Sequence, residues 1–117
     1  MDRIAQGYRL LGDPARLRAL RVIARQELAA GEVAQVLGLA ASTVSKHVAA
    51  LRQAGVVAER RHGRHVYFAV PAAARTDPRW TGVLAQVADE ADAAGDLARL
   101  EDVLRALGAS KLDIMRK

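Results

Sequence analysis

The segment that decides the fold reads EVAQVLGLAASTVSKHVAALRQAG and runs from Glu32 to Gly55. A first apolar stripe recurs at helical spacing and stops before Gly38, a residue suited to the end of a helix. This stripe consists of Val33, Val36 and Leu37. A second stripe begins a few residues later and consists of Val44, Val48 and Leu51. Two short helices joined by GLAA at residues 38–41 predict a helix-turn-helix.

Two further helices are predicted before this segment. Asp13 can cap free backbone N–H groups, and Pro14 suits a first helical turn because its missing donor is not needed there. The spacing of the apolar residues that follow predicts a helix from about Pro14 to Arg25. A shorter amphipathic helix is predicted earlier in the chain from the positions of Ile4, Tyr8 and Leu11.

The segment after the helix-turn-helix has the pattern of a β-hairpin. It reads VVAERRHGRHVYFAV from Val56 to Val70, with β-branched and aromatic residues on both sides of Gly63. Because glycine supplies positive φ without strain, the tip is expected near Gly63. Pro71 ends the second strand, and PAAARTDP at residues 71–78 is predicted to be a linker.

Residues 76–117 return to a helical pattern and are predicted to form the terminal helices. One stripe consists of Trp80, Leu84, Val87 and Ala91, and a second consists of Leu97, Leu100, Leu104 and Leu107. The phase slips by one residue beside Gly95, which predicts a bend or break near Gly95-Asp96 with Asp96 as a candidate cap. The order α-α-α-α-β-β-α(-α) predicts a single, mainly α winged helix-turn-helix domain over residues 1–117, with the β-hairpin as its wing.

Composition and charge narrow the class of protein. The absence of cysteine excludes disulfides, thiolate metal sites and cysteine nucleophiles. No signal-peptide core is visible, and no run approaches the ~20 apolar residues of a membrane span, so we expect a cytoplasmic protein without a membrane partner. Residues 1–75 carry 12 basic and 5 acidic side chains, whereas residues 76–117 carry 6 and 8. A basic body with a mildly acidic tail suggests that the first part meets a polyanion.

The outer face of the second helix of the motif favours DNA contact. Opposite its apolar stripe lie small, polar and basic residues, namely Ser42, Lys46, Ala49, Ala50 and Gln53, with Ser45 on the flank. Residues 41–54 contain no acid, whereas an ordinary solvated face usually carries Glu–Lys pairs. Such a face suits a helix that enters a major groove about 12 Å wide.

The hairpin tip is a second basic surface. Only Glu59 offsets a cluster of Arg60, Arg61, His62, Arg64 and His65. The positive charges at the tip repel one another, and binding of a polyanion would relieve this repulsion. The minor groove of DNA in particular attracts arginine side chains. The alternative is that these charges merely protect a strand edge.

Metal, cofactor and catalytic sites are not expected. His62 and His65 flank a turn, and no cysteine or well-spaced carboxylate completes a set of four ligands. Asp89, Glu90 and Asp92 are expected to form a solvated face. No nucleophile–base pair, phosphate loop or cofactor motif is visible, so the chain is not expected to be an enzyme.

Three segments together closely resemble the ArsR/SmtB winged-helix repressors. They are LGDPARLRALRVI (Leu11 to Ile23), EVAQVLGLAASTVSKHVAALRQAGVV (Glu32 to Val57) and RRHGRHVYF (Arg60 to Phe68). The resemblance covers roughly residues 8–70. It implies a homodimer in which the first and last helices pair, and repression at a double-stranded DNA operator that an inducer relieves. It places DNA contacts on Ser42, Thr43, Ser45, Lys46 and His47, with Arg61 and Arg64 on the wing, to which the basic tip adds Arg60.

The departures from the family pattern concern the inducer. Ala29 and Gly31 stand where metal-sensing members carry paired cysteines, and no histidine follows His65 where other members place ligands. We therefore expect a small-molecule inducer of unknown identity or none, rather than a metal at these sites. Ala40 and Ala41 replace a frequent capping serine and the glutamine after it, which should weaken direct readout at one base position.

The apolar surface of the terminal helices predicts where two copies meet. Left exposed, this surface would be larger than monomers usually tolerate. Two-fold pairing would bury it at an interface comprising Ile4, Tyr8, Leu11, Trp80, Leu84, Val87 and Ala91. For Leu97 to Leu107 the sequence leaves two arrangements open, the dimer interface or folding back onto the same subunit.

Two other functions remain open beside a dimeric repressor. A winged-helix module that binds another protein would present an apolar or acidic outer face, and Lys46 with its neighbouring serines argues against it. A DNA-packing protein without sequence preference would bind operator and random DNA equally.

Overall fold

The computed structural model describes residues 1–116, and side chains for residues 1–108. Within that range the prediction of a mainly α fold with a β-hairpin is confirmed. The elements are α1 (Asp2–Leu11), α2 (Pro14–Arg25), α3 (Ala30–Leu37), α4 (Ala41–Ala54), β1 (Ala58–His62), β2 (His65–Ala69), α5 (Ala72–Thr76), α6 (Pro78–Asp89) and α7 (Asp96–Arg116). None of the helices searched in this range combines the length and apolarity needed to cross a bilayer.

Helices α2, α3 and α4 begin and end for the reasons that the sequence suggests. The Asp13 carboxylate accepts hydrogen bonds from the N–H groups of Ala15 at 3.0 Å and Arg16 at 3.3 Å, which caps α2. Helix α3 ends at Gly38, whose φ of 68° is a conformation that favours glycine. Helix α4 begins at Ala41, three residues after Gly38, and the three apolar residues of its stripe are buried.

The hairpin has a two-residue turn and a fixed register. His62 pairs with His65 and Ala58 pairs with Ala69, so Gly63 and Arg64 form the turn. Gly63 has a φ of 62°, which a two-residue hairpin turn requires at this position. The Leu28 N–H donates to the Phe68 carbonyl at 3.1 Å, and the Phe68 N–H donates to the Leu28 carbonyl at 2.8 Å. The wing is thereby tied to the segment between α2 and α3.

The prediction of a linker at residues 71–78 is wrong, because most of this segment is helical. Residues Ala72–Thr76 form the short helix α5, which packs against α6 and buries Ala74. Asp77 then caps α6 by accepting a hydrogen bond from the Arg79 N–H at 2.9 Å.

The break in the terminal helices falls where the phase slip predicts it. Helix α6 ends at Asp89 and α7 begins at Asp96, after Gly95 with a φ of 75°. The expected capping role of Asp96 is wrong. The Asp92 carboxylate accepts from the N–H groups of Leu97 at 3.0 Å and Ala98 at 3.3 Å, while Asp96 is wholly buried.

The core surrounds α2, which packs against α1, α3, α4, α6 and α7. Helix α7 folds back onto its own subunit, where Leu100 and Val103 are buried beside α3. Residues 109–117 of the predicted terminal segment lie outside the described side chains. Trp80 corrects another expectation, since it is 8% exposed within the protomer's core and is not available to cover a partner.

Candidate nucleic-acid interface

Helix α4 presents an exposed polar face from its first turn. Of the predicted contact residues, the structure places Ser42, Thr43, Ser45 and Lys46 at the surface. No side chain caps the helix at Ala40, so the N-terminal N–H groups of α4 keep their hydrogen-bonding capacity. Those N–H groups and the positive end of the helix dipole favour an anion such as a phosphate.

His47 does not belong to this face, which corrects the prediction. It is 8% exposed, and its Nδ1 accepts a hydrogen bond from Arg16 Nε at 3.4 Å. Asp13 Oδ2 lies 3.9 Å from the same nitrogen. His47 therefore joins α4 to the start of α2 and positions the helix rather than facing solvent.

The three wing arginines differ in what they can do. Arg64 lies in the turn, is exposed, and makes no ion pair with any side chain of residues 1–108. Arg61 is also exposed but lies 3.3 Å from the Glu59 carboxylate, which Arg52 contacts as well. Arg64 is therefore the wing cation most available to a phosphate.

Arg60 is held within the protein. Its Nε donates to Glu27 Oε1 at 2.6 Å, and this hydrogen bond raises the pKa of the guanidinium. The guanidinium carbon lies 5.6 Å from the centre of the Tyr67 ring, within the range of a cation–π contact. These contacts position the wing against the segment before α3. The Arg60 side chain is still 58% exposed, so its DNA contact stays a prediction.

A charge cluster, formed by Arg18, Arg21, Asp96 and Arg99, lies behind the helix-turn-helix, with Asp96 and Arg21 buried and Arg18 and Arg99 partly exposed. Arg18 donates twice to Asp96, with Nε and Nη2 each 2.8 Å from a carboxylate oxygen. Arg99 Nη2 lies 2.9 Å from the same carboxylate, and Arg21 Nη2 lies 3.7 Å from it. The hydrogen bonds from Arg18 hold the pKa of Asp96 below its usual range despite burial, and raise the pKa of Arg18.

The same cluster holds the end of α3. Arg18 Nη2 donates to the Leu37 carbonyl at 2.9 Å, and Arg99 Nε donates to the Val36 carbonyl at 2.6 Å. These are carbonyls at the C-terminal end of a helix, where cations are favoured. The sequence analysis missed this cluster. The sequence did contain an indication of it, because Arg18 and Arg21 interrupt an otherwise apolar stretch of α2.

The predicted dimer surface is only partly exposed. In α1, Ile4 is 58% and Tyr8 is 76% exposed, and no residue of this helix is buried. Leu11 and Leu84 are half-buried, and Ala91 is exposed. Val87 is only 7% exposed in the protomer, which corrects its predicted place at the dimer surface as for Trp80. An open groove of about 630 Å³, lined by residues of α1, α2 and α6 that include Tyr8, separates these helices.

Comparison with known proteins identifies the family. The model described as "Bacterial regulatory protein, arsR family" matches residues 13–59, from the cap of α2 into β1. The helix-turn-helix region of this chain, residues 13–59, is that of the ArsR family. The matched residues contain the whole helix-turn-helix, so the resemblance seen in the sequence is confirmed.

Relatives within the ArsR family match a similar part of the chain. A transcriptional repressor SmtB homolog of Synechocystis is 37% identical over 69 residues, which are 59% of this chain and 52% of that protein. The arsenic resistance transcriptional regulator ArsR1 of Pseudomonas putida is 39% identical over 62 residues, 52% of this chain and 48% of that protein. The chain thus spans about half the length of the curated relatives it matches.

Solved structures share the fold. A homodimeric winged helix-turn-helix DNA-binding domain, Mb0332 of Mycobacterium bovis, matches with a TM-score of 0.60 and 27% identity over 74% of this chain and 75% of that one. Rv0081 of Mycobacterium tuberculosis matches over 99% of this chain and 95% of its own, with a TM-score of 0.56 and 26% identity.

The metal expectation for this chain stays a prediction. Within the part of the chain that was searched, no three of its histidines and carboxylates are grouped so as to hold a metal ion. Asp92, expected on a solvated face, instead caps α7 and lies 3.2 Å from Arg21.

Proposed function

We propose that this chain is a homodimeric transcriptional repressor of the ArsR family that binds an inverted-repeat DNA operator in the cytoplasm and has no catalytic role. The observation that carries the proposal is the exposed face of α4, where Lys46 has no ion-pair partner among the described side chains and no acid occurs between residues 41 and 54. Ser42, Thr43 and Ser45 supply hydrogen-bonding groups beside it. A polyanion satisfies such a face better than water or a protein does.

The wing supports the same polyanion. Arg64 at its turn would reach the phosphates or minor groove beside the site that α4 reads. Arg61 would add a weaker contact because Glu59 already neutralises part of its charge. Arg60 keeps the hairpin in place through Glu27. In this proposal Arg64 at the tip of the wing contacts DNA, whereas Arg60 holds the hairpin to the rest of the protein.

The operator follows from two-fold symmetry. Two copies of α4 related by a two-fold axis require an inverted repeat with half-sites about 10 bp apart, or a multiple of that spacing. Genomic fragments retained by the pure protein should share such a repeat, and should bind at least roughly 1,000-fold more tightly than random DNA at physiological salt. Equal affinity for all fragments would identify a packing protein instead, and no retained DNA would favour a protein-binding module.

The dimer itself is proposed to form through α1 and the adjoining groove. Ile4 and Tyr8 are large apolar or aromatic side chains that the described part of their own subunit leaves mostly exposed. A second copy of α1 and α6 would cover them, as the homodimeric state of the Mycobacterium bovis domain also suggests. Leu11, Leu84 and Ala91 would lie at the edge of this contact.

Tyr8→Asp should weaken the dimer by at least about tenfold, because it places a charge where an apolar ring would be buried. The side chain is 76% exposed in the protomer, so folding should be unaffected. Sedimentation over a concentration series measures the change, and operator affinity should fall with it. Ala106→Asp, an exposed position on α7, is the matched control. A Tyr8→Asp protein as dimeric as the control would contradict this interface.

A further inference from the structure

A second cavity lies between α2 and the segment that joins α6 to α7. Its volume is about 400 Å³, within the range of roughly 300–1,000 Å³ that small-molecule sites occupy. Its lining combines apolar side chains, among them Leu17, Val87 and Ala94, with the cations Arg18 and Arg21. An apolar lining beside a cation fits a small amphipathic anion.

Three arginines behind the helix-turn-helix have two carboxylates as ion-pair partners. Arg18, Arg21 and Arg99 share those of Asp92 and Asp96. Arg21 is also held by backbone carbonyls, because its Nη1 donates to Glu90 O at 3.0 Å and to Ala91 O at 3.4 Å. The Arg18 side chain is 28% exposed, and no hydrogen bond of its Nη1 is found among the described residues, so this donor is open to a ligand acceptor.

The mouth of the cavity limits the charge of the ligand. Glu90 lines it with an exposed side chain, and no ion pair involving this carboxylate is found among the described side chains. A second negative charge on a ligand would lie near this carboxylate and be repelled. The site therefore favours a monoanion over a phosphate or a dicarboxylate.

We propose that this cavity binds a small organic monocarboxylate, with its head on Arg18 and its apolar body against Leu17, Val87 and Ala94. The consequence for DNA rests on the proposed function. Arg18 also holds Asp96 and the Leu37 carbonyl at the end of α3. A ligand carboxylate competes with these acceptors for Arg18, loosens the helix-turn-helix and lowers operator affinity.

Calorimetric titration of the full chain with 1-naphthoate, its neutral amide and acetate tests the binding step. We expect one naphthoate per protomer and at least about tenfold weaker binding of the amide, which lacks the charge, and of acetate, which lacks the apolar body. Equal binding of naphthoate and the amide, or no heat from any of them at millimolar concentration, would overturn the proposal.

Two variants locate the site. Ala94→Phe fills the cavity and leaves both arginines in place, so naphthoate binding should fall at least about tenfold, whereas Ala106→Phe on an exposed part of α7 should not change it. Arg18→Gln should remove the preference for naphthoate over the amide. Unchanged binding to Ala94→Phe would overturn the assignment. A second pair of results would also overturn it. If the wild type does not bind naphthoate and Ala94→Phe is a monomer, the cavity is part of the contact with a second copy and is not a ligand site.

The effect on DNA is measured separately. Saturating naphthoate should lower the affinity for the selected operator at least about fivefold in the wild type and leave it unchanged in Ala94→Phe. Naphthoate binding without this loss would overturn the regulatory role. A chain that binds naphthoate but no DNA fragment would refute the proposed function and leave the carboxylate site standing, so the two failures are distinguishable.

Discussion

Lys46→Glu should weaken operator binding by about 100-fold. Lys46 is exposed on α4, and no carboxylate among the described side chains pairs with it. A hydrogen bond to a charged group contributes about 1.5–3 kcal/mol, and about 1.4 kcal/mol is a factor of ten in affinity. A dimer carries two such contacts, so about 100-fold is the lower bound for losing both, and repulsion by glutamate adds to it. Fluorescence anisotropy with the selected operator at fixed salt measures the change.

The salt dependence separates a phosphate contact from a folding defect. With Lys46→Ala, the slope of log affinity against log salt should become shallower by about two, one for each phosphate released per dimer. Arg105→Glu on α7 is the matched control for Lys46→Glu, because both variants replace a positive charge with a negative one and Arg105 is exposed away from α4. A loss of the same size in Arg105→Glu would show that total charge, not this helix face, governs binding.

The elements around the DNA-binding face were predictable because their signals are local. Asp13 and Pro14 mark the start of α2 through groups within three residues of each other. Gly38 and Gly63 occupy positive φ at a helix end and at a hairpin turn, where other residues are strained. Each signal is read without knowledge of the rest of the chain. The same locality explains why α4 and its exposed serines were located correctly.

For His47, the helical spacing and the family resemblance gave opposite predictions, and the resemblance was followed. His47 lies three residues after Val44 and four before Leu51, spacing that puts it on the core side of α4. The family resemblance assigned it to DNA contact instead. Its polar character did not keep it exposed, because Arg16 and Asp13 of α2 provide partners beneath the helix. Periodicity was the better guide here.

Other features depend on residues far apart in the sequence. Arg18 and Asp96 are 78 positions apart, so no local pattern could show that they pair. The burial of Trp80 in its own subunit similarly depends on how the terminal helices fold against the core. An apolar stripe reports that a surface is covered, but not which chain covers it. The division of the tail between core and dimer surface therefore required the structure.

Asp96→Ala should lower the free energy of unfolding by about 3–5 kcal/mol, the usual cost of removing one partner from a buried ion pair. Asp96 is wholly buried among Arg18, Arg21 and Arg99. Without it, Asp92 is the remaining carboxylate partner of three guanidiniums at the junction of α2, α3 and α7, and their other acceptors are backbone carbonyls. Urea unfolding followed by circular dichroism measures the loss. Asp96→Asn, which keeps one acceptor oxygen, should lose less.

The pH dependence shows whether the charge of Asp96 is the cause. Its pKa is lowered in the folded protein, chiefly by the Arg18 hydrogen bonds. The stabilisation is therefore fully present above the unfolded pKa of about 3.9, and it disappears as the pH falls through the lower folded value. The gap between wild type and Asp96→Ala should accordingly stay constant from about pH 7 to 5 and narrow only below about pH 4. The matched control is Asp102→Asn, whose carboxylate is 74% exposed beside Arg105, and it should change stability by less than about 0.5 kcal/mol. A control loss as large as that of Asp96→Ala, or a gap that closes between pH 7 and 5, would show that the buried pairing does not hold this junction together.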